Sequence, residues 1–163
     1  VSINNNRVDL TGEGLDYAIR FGDGAWHGTH AEQLMAAPLT PLCAPLVAAR
    51  LHGPGDLVRE RLLRSYRVSE WENWFATVGV QPPNLRGPMF DSSALMVGAA
   101  MAGLGVALAP KAMFGHELTT ERLVQPFALE IDAGRYWLTR LLSRKEGLAM
   151  KAFRQWLMGA VQR

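Results

Sequence analysis

Two adjacent serines precede a long apolar run, and their side chains are the ones in this sequence best placed to bind or react with a ligand. The segment Asp91-Ser92-Ser93 stands directly before the Ala-, Met- and Gly-rich residues 94–109. Asp and Ser favour the N-cap position and the run behind them favours a helix, so the pattern predicts a helix beginning at Ser92 or Ser93. The free amide groups of its first turn, together with the two hydroxyls, would bind a carboxylate, a phosphate or a sugar oxygen.

The same serines allow other interpretations. Most serine caps satisfy only the amide groups of their own helix. A serine could also act as a nucleophile, but neither lies in a Gly-x-Ser-x-Gly or Ser-x-x-Lys pattern, and the spacing assigns no histidine as its base. Residues 94–109 are too few to span a membrane, and glycines and a proline interrupt them. The sequence therefore predicts a core helix that Gly103 ends, followed by a buried strand over 106–109.

Other residues that could do chemistry lie in weaker patterns. His27 and His30 lie in the glycine-rich loop 22–30, but three-residue spacing without a nearby cysteine or carboxylate pair argues against a metal site. Trp71 and Trp74 could stack on a sugar or a base, although two tryptophans at helical spacing are more often core residues. The sequence indicates no metal and no cofactor.

Composition places the chain among ordinary globular proteins. It has 163 residues, of which 48% are hydrophobic and 20% charged, and a formal net charge of +2. The basic residues are scattered, and the densest group, at 59–67, is more typical of a solvated surface than of a nucleic-acid patch. The single cysteine, Cys43, excludes an internal disulfide framework, and its apolar neighbours predict an inert core thiol in a reducing cytosol. Because the first residues lack an export signal, we expect a cytoplasmic protein.

The elements that must position these residues alternate between strands and helices. Strands are predicted at 15–22, within 34–43, and at 62–66, 88–90, 106–109, 123–127 and 135–142; helices at 45–51, 57–61, 71–78, from 92 or 93 to Gly103, at 111–118 and at 146–161. The last helix is amphipathic, with an apolar stripe at 3.6-residue spacing formed by Leu148, Ala149, Ala152, Phe153, Trp156, Leu157, Ala160 and Val161. The chain leaves a first lobe near Gln33 and re-enters it near Leu138, which predicts a first lobe of 1–33 and 138–163 and a second lobe of 34–137. Two lobes with two crossings would enclose a cleft.

Three stretches of the sequence resemble the effector-binding domain of LysR-type transcriptional regulators. They are 8–22 (VDLTGEGLDYAIRFG), 41–45 (PLCAP) and 103–110 (GLGVALAP). Narrower stretches at 5–9, 24–29, 90–93, 125–127 and 136–141 resemble the members of that family that regulate inducible β-lactamase. The resemblance implies an α/β, two-lobed periplasmic-binding-protein-like type 2 fold with mixed sheets. It also implies a first lobe truncated at its N-terminus, and a DNA-binding winged helix-turn-helix that is absent from this chain.

The resemblance further implies which side chains bind the effector. Ser93 matches a pocket serine at a helix N-terminus, and Tyr136 matches a pocket tyrosine at a lobe crossing. A threonine that contributes to the pocket in these regulators would precede this chain. Asp9 matches an aspartate associated with the resting state, so we expect it to be a regulatory switch. The expected ligand-binding residues are Ser93, Tyr136, Ser92, Asp91 and Phe21.

The implied function is effector sensing by a regulator of β-lactamase expression, without enzymatic activity. The implied effectors are cell-wall fragments, namely anhydromuramyl peptides that activate and a UDP-muramyl pentapeptide that represses. The implied partners are promoter DNA, bound through the absent N-terminal domain, and further copies of the chain in a homodimer or homotetramer of the full-length protein; no membrane partner is expected. The alternatives are a solute-binding protein of a transporter and, less favoured, a serine hydrolase acting on muropeptides.

Overall fold

The chain divides into two compact units. A computed structural model describes residues 14–67 and 69–161. Unit 1 comprises Val1–Ala37 and Gly134–Arg163, and unit 2 comprises Pro38–Ala133. No helix in the described ranges is long and apolar enough to cross a membrane.

The described chain begins with three strands, after which helices and short strands follow one another. The strands are β1 (Ala18–Gly22), β2 (Thr29–Ala36), β3 (Leu39–Leu42), β4 (Arg64–Ser65), β5 (Met89–Phe90), β6 (Ala107–Pro110) and β7 (Arg135–Leu141). The α-helices are α1 (Pro45–Ala48), α2 (Glu70–Thr77), α3 (Ser93–Met101), α4 (Gly115–Thr119) and α5 (Leu148–Val161), and 3₁₀ helices lie at Pro54–Arg59 and Lys111–Phe114. The predicted helix behind the two serines, the buried strand after it and the late strand are therefore confirmed as α3, β6 and β7.

Unit 1 is built on an antiparallel sheet in which β7 lies between β1 and β2. On β1, Ala18 lies opposite Thr139 and Phe21 lies opposite Tyr136. The buried hydroxyl of Thr139 donates a hydrogen bond to the Ala18 carbonyl oxygen at 3.0 Å. This bond joins the two strands inside the core, which helps to fix their register.

Helix α5 carries the predicted apolar stripe, most of which is exposed. The helix begins at Leu148, and three large residues of the stripe are exposed: Leu148 at 87%, Phe153 at 43% and Trp156 at 65%. Met150, which lies outside that stripe, is the buried residue of α5 among those described. The periodicity therefore located an apolar helix face correctly, but it does not show what covers that face.

Unit 2 contains two short sheets around an apolar core. Strand β3 pairs antiparallel with β6, and every residue of both strands is buried; β4 pairs in parallel with β5. Helix α2 contributes Trp71 and Trp74, which are 3% and 0% exposed and whose ring centroids lie 6.1 Å apart. The core interpretation of this tryptophan pair is confirmed.

One local prediction in unit 2 is wrong. Residues 123–127 form no strand, because Val124 makes only an isolated antiparallel bridge to Cys43.

The predicted helix at 57–61 is a 3₁₀ helix that begins earlier, at Pro54, and ends at Arg59. Asp56 lies inside it and accepts hydrogen bonds from the backbone N–H groups of His52 at 2.8 Å and of the N-cap residue Gly53 at 2.9 Å. These bonds stabilise the carboxylate and lower the pKa of Asp56 below its ordinary value.

Cys43 should be unreactive in the native protein. Its side chain is completely buried, and burial raises the pKa of its thiol to about 11. The thiolate is the reacting form, so at pH 8 we expect modification by a disulfide reagent to be at least roughly 100-fold slower than in urea-unfolded chain. Timed reaction with the reagent under both conditions measures this ratio; similar rates would show that the site opens readily in the native state.

Candidate functional site

The N-terminus of α3 presents hydrogen-bonding groups that the described protein residues leave unused. Ser92 is the N-cap, with extended backbone dihedral angles (φ −133°, ψ 128°), and Ser93 is the first helical residue. Ser92 makes no side-chain cap bond, and within the described ranges neither serine hydroxyl has a hydrogen-bond partner. The carbonyl of Ser92 accepts the first helical bond, from the N–H of Met96 at 3.0 Å. The backbone N–H groups of residues 93–95 therefore remain available to an acceptor.

This arrangement is suited to binding rather than to nucleophilic attack. Both serines are half-buried, and Asp91 beside them is exposed. A nucleophilic serine needs a base within hydrogen-bond reach, and no described histidine, lysine or carboxylate is hydrogen-bonded to either serine hydroxyl. A helix N-terminus with two hydroxyls instead favours a carboxylate or phosphate ligand.

Tyr136 lies on the central strand of unit 1, in contact with another predicted site residue. Phe21 is its direct cross-strand neighbour on β1, and the two rings meet edge to face, with centroids 5.2 Å apart and planes at 67°. Both side chains are half-buried. The structure therefore brings together two members of the predicted site, and this pairing follows directly from the strand register.

The glycine-rich loop after β1 packs on two tryptophans. The indole N–H of Trp137 donates to the Gly22 carbonyl oxygen at 2.9 Å. A β-carbon on Gly24 would lie 2.7 Å from a ring atom of Trp137, and one on Gly22 would lie 3.0 Å from a ring atom of Trp26. These glycines are therefore explained by close packing of the loop, without a ligand.

His27 and His30 are both exposed. In the described parts of the chain, no group of three or more His, Cys, Asp or Glu side chains is placed to hold a metal ion.

A cavity of about 540 Å³ in unit 1 is lined by charged residues outside the predicted site. Arg154 of α5 spans it, with Nε 3.0 Å from Glu146 Oε1 and Nη1 3.3 Å from Glu32 Oε2. The hydroxyl of Tyr17 donates to Glu146 at 2.5 Å, and burial followed by this bond raises the pKa of Tyr17 to about 12. Because these groups satisfy one another, the network is explained as a connection between α5 and the sheet.

The predicted site residues are distributed over both units. Asp91, Ser92 and Ser93 belong to unit 2, whereas Phe21 and Tyr136 belong to unit 1. Asp9 lies outside the described residues. A shared effector site and the switch role of Asp9 therefore stay predictions.

Comparison with known proteins identifies the family. Residues 1–162 match the family described as LysR substrate binding domain. The chain belongs to this family. Its membership confirms the predicted type 2 periplasmic-binding-protein-like fold and the predicted family.

Within the LysR substrate-binding family, the chain is similar to AmpR proteins. It is 56% identical over 160 residues to the HTH-type transcriptional activator AmpR of Enterobacter cloacae, covering 97% of this chain and 55% of that protein. The chain therefore spans about half the length of the curated relatives it matches. These relatives are transcriptional activators.

Solved AmpR effector domains show the same fold. The effector domain of AmpR from Pseudomonas aeruginosa is 57% identical, with a TM-score of 0.91, over 97% of this chain and 77% of that one. An effector-binding domain from Citrobacter freundii with a threonine, a serine and a tyrosine substituted is 51% identical, with a TM-score of 0.91, over 96% of this chain and 80% of that one. This chain is thus an effector-binding domain of the AmpR type in the LysR family.

One residue beside the predicted site was missed by the sequence analysis. Gly134 immediately precedes β7, and a β-carbon placed there would lie 3.0 Å from Cζ of Phe21. The sequence around it, Asp132-Ala133-Gly134, indicates only a turn before a strand. Its contact with the Phe21 ring depends on the pairing of β1 with β7, which a single sequence does not specify.

Proposed function

We propose that this domain binds peptidoglycan fragments and that Ser93 and Tyr136 are its principal ligand-binding side chains. The observation that carries the proposal is a shared spacing. The serine and tyrosine substituted in the Citrobacter freundii domain have the same separation along the chain as Ser93 and Tyr136. With the substituted serine aligned to Ser93, the substituted threonine lies before Val1, where the family resemblance places the threonine of the pocket.

The chemistry of the two residues suits an anionic peptide ligand. Ser93 offers a hydroxyl beside the free amides of α3, which favour a carboxylate or a phosphate. The phenol of Tyr136 can donate to a peptide or sugar oxygen. Exposed Asp91 could accept a hydrogen bond from an amide or ammonium group of the same ligand. Muramyl peptides contain all of these groups.

For the full-length protein, we propose a cytoplasmic regulator of β-lactamase expression. The AmpR name of the relatives supports the regulatory role. We propose further that promoter DNA is bound by a domain outside this chain and that the full-length protein forms a homodimer or homotetramer. A ligand shifts such a regulator only by its differential affinity for two states. We therefore propose that an anhydromuramyl peptide favours the activating state and the UDP-muramyl pentapeptide the repressing state.

Calorimetric titration of the full-length regulator with each of these two ligands tests the proposal. Ser93→Ala and Tyr136→Phe each remove one hydroxyl that would contact a charged or strongly polar ligand group. Losing such a hydrogen bond should weaken binding by about 10- to 100-fold for at least one ligand. Because Ser93 is half-buried and its hydroxyl has no hydrogen-bond partner among the described residues, Ser93→Ala should change thermal unfolding little.

Ser143→Ala provides the matched control. Ser143→Ala removes a serine hydroxyl, as Ser93→Ala does. Because Ser143 is exposed and lies outside the proposed site, binding should be unchanged. Failure of the folded wild-type regulator to bind either ligand would refute muropeptide sensing. A large fall in melting temperature for Ser93→Ala would instead identify Ser93 as a structural residue.

A further inference from the structure

Tyr136 has a side-chain neighbour on each of the two flanking strands. On β1 it faces Phe21, whose ring meets it edge to face at 5.2 Å. On β2 it faces Met35, immediately after an irregularity in the register between Gln33 and Met35. Such bulges alter the direction of nearby side chains. The orientation of the Tyr136 ring is therefore a product of local packing as well as of its own rotamer preference.

The Phe21 ring is itself confined by Gly134. A β-carbon at that position would lie 3.0 Å from Cζ and 3.1 Å from Cε1 of Phe21, closer than ordinary van der Waals contact. Gly134 also has φ of +133°, where other residues are strained. A side chain there would have to displace the aromatic ring or shift the backbone, so a glycine is needed for Phe21 to occupy its place against Tyr136.

We propose that Phe21 is a positioning residue for Tyr136, and that Gly134 provides the space this requires. The proposal rests on the proposed function, in which the Tyr136 hydroxyl contacts the ligand. That hydroxyl lies at the end of a long side chain, so a modest rotation of the ring moves it away from a hydrogen-bond acceptor. The edge-to-face contact favours one ring orientation and holds the hydroxyl where binding requires it. Phe21 thus acts on the ligand through Tyr136 rather than by touching it.

A double-mutant cycle on the full-length regulator distinguishes these roles. The probe is whichever of the UDP-muramyl pentapeptide and the anhydromuramyl peptide the wild type binds more tightly. Phe21→Leu removes the ring but keeps an apolar side chain, and we expect about three- to tenfold weaker binding, the scale of one aromatic pair. In a Tyr136→Phe background, which has no hydroxyl to orient, the same change should have almost no further effect.

Gly134→Ala tests the second part of the proposal. It should weaken binding in the wild-type background by displacing the Phe21 ring, and it should weaken binding less when Phe21 is already leucine. Phe153→Leu is the matched control, because that ring contacts Tyr17 and Trp156 instead. Its affinity should equal that of the wild type.

A spectroscopic signature provides a readout independent of the ligand. The NMR signals of the Tyr136 ring protons should shift in Phe21→Leu and in Gly134→Ala, because both changes alter the neighbouring ring, and should stay in place in Phe153→Leu. Unchanged Tyr136 signals in the first two variants would overturn the proposal.

The cycle separates failure of the positioning role from failure of the proposed function. Equal weakening by Phe21→Leu in both backgrounds, with the wild type binding normally, would overturn only the positioning role and would indicate direct ligand contact. Absence of binding by the wild type would overturn the proposed function and the positioning role with it.

Discussion

Gly105→Ala should destabilise the protein by roughly 3 to 5 kcal/mol, the combined cost of a severe steric overlap and a strained backbone. A β-carbon on Gly105 would lie 2.2 Å from the carbonyl oxygen of Arg61, far inside van der Waals contact. That oxygen accepts the N–H of Val106 at 2.9 Å, and the Val106 carbonyl accepts the N–H of Leu63 at 2.8 Å. A methyl group would therefore separate two buried segments that are joined by backbone hydrogen bonds.

Two other glycines of the same region are internal controls, and urea denaturation monitored by tryptophan fluorescence measures all three variants. Gly103 has φ of +75° but nothing within 4 Å of the place a β-carbon would occupy, so Gly103→Ala should cost about 1 kcal/mol from backbone strain alone. Gly98 lies inside α3 and likewise has nothing within 4 Å of the place a β-carbon would occupy. Gly98→Ala should therefore stabilise the protein by about 0.5 to 1 kcal/mol, because alanine favours a helix more than glycine does. If Gly105→Ala lowered the free energy of unfolding no more than Gly103→Ala does, the close approach of Gly105 to the Arg61 carbonyl oxygen would be wrong.

The region from Phe90 to Pro110 could be predicted from sequence because its signals are local. An N-cap residue before an apolar run specifies where α3 begins, and glycines followed by a short apolar run specify β6. The Gly105 contact was not predictable in this way. The sequence indicates a helix break at that position, whereas the proximity of Arg61 depends on the bridge between Leu62 and Val106.

Two features of the chain depend on contacts that a local pattern does not contain. Periodicity predicts the apolar stripe of α5 but does not show what covers a helix face, and Trp156 is 65% exposed. The segment 123–127 has the composition of a strand, but a strand also needs a partner, and only Val124 has one among the described residues. The same limit applies to the candidate site. The serines of α3 can be identified from local sequence and Tyr136 from family resemblance, whereas the close approach of Gly134 to Phe21 depends on the strand register.

Trp74→Ala should be the most disruptive substitution in the core of unit 2, costing about 3 to 5 kcal/mol. The side chain is completely buried, and its ring lies 5.4 Å from that of Phe75 and 6.3 Å from that of Phe127. Removing it would leave a large cavity among residues that cannot fully collapse into the space. Urea denaturation measures the loss, and any ligand affinity carried by the proposed site residues of α3 should persist while the protein remains folded.

Replacing each buried tryptophan of α2 by phenylalanine separates the packing contribution of the ring from the polar contribution of its N–H. Trp71 Nε1 donates to the Leu63 carbonyl oxygen at 2.9 Å, whereas Trp74 Nε1 is buried without a hydrogen-bond partner among the described residues. Trp71→Phe leaves a buried carbonyl unpaired, but Trp74→Phe removes an unpaired donor. Trp71→Phe should therefore be more destabilising by about 1 to 3 kcal/mol, even though the two changes remove the same atoms. Equal losses would mean that the Trp74 N–H has a partner in solution, such as a buried water molecule, and that its burial carries no polar penalty.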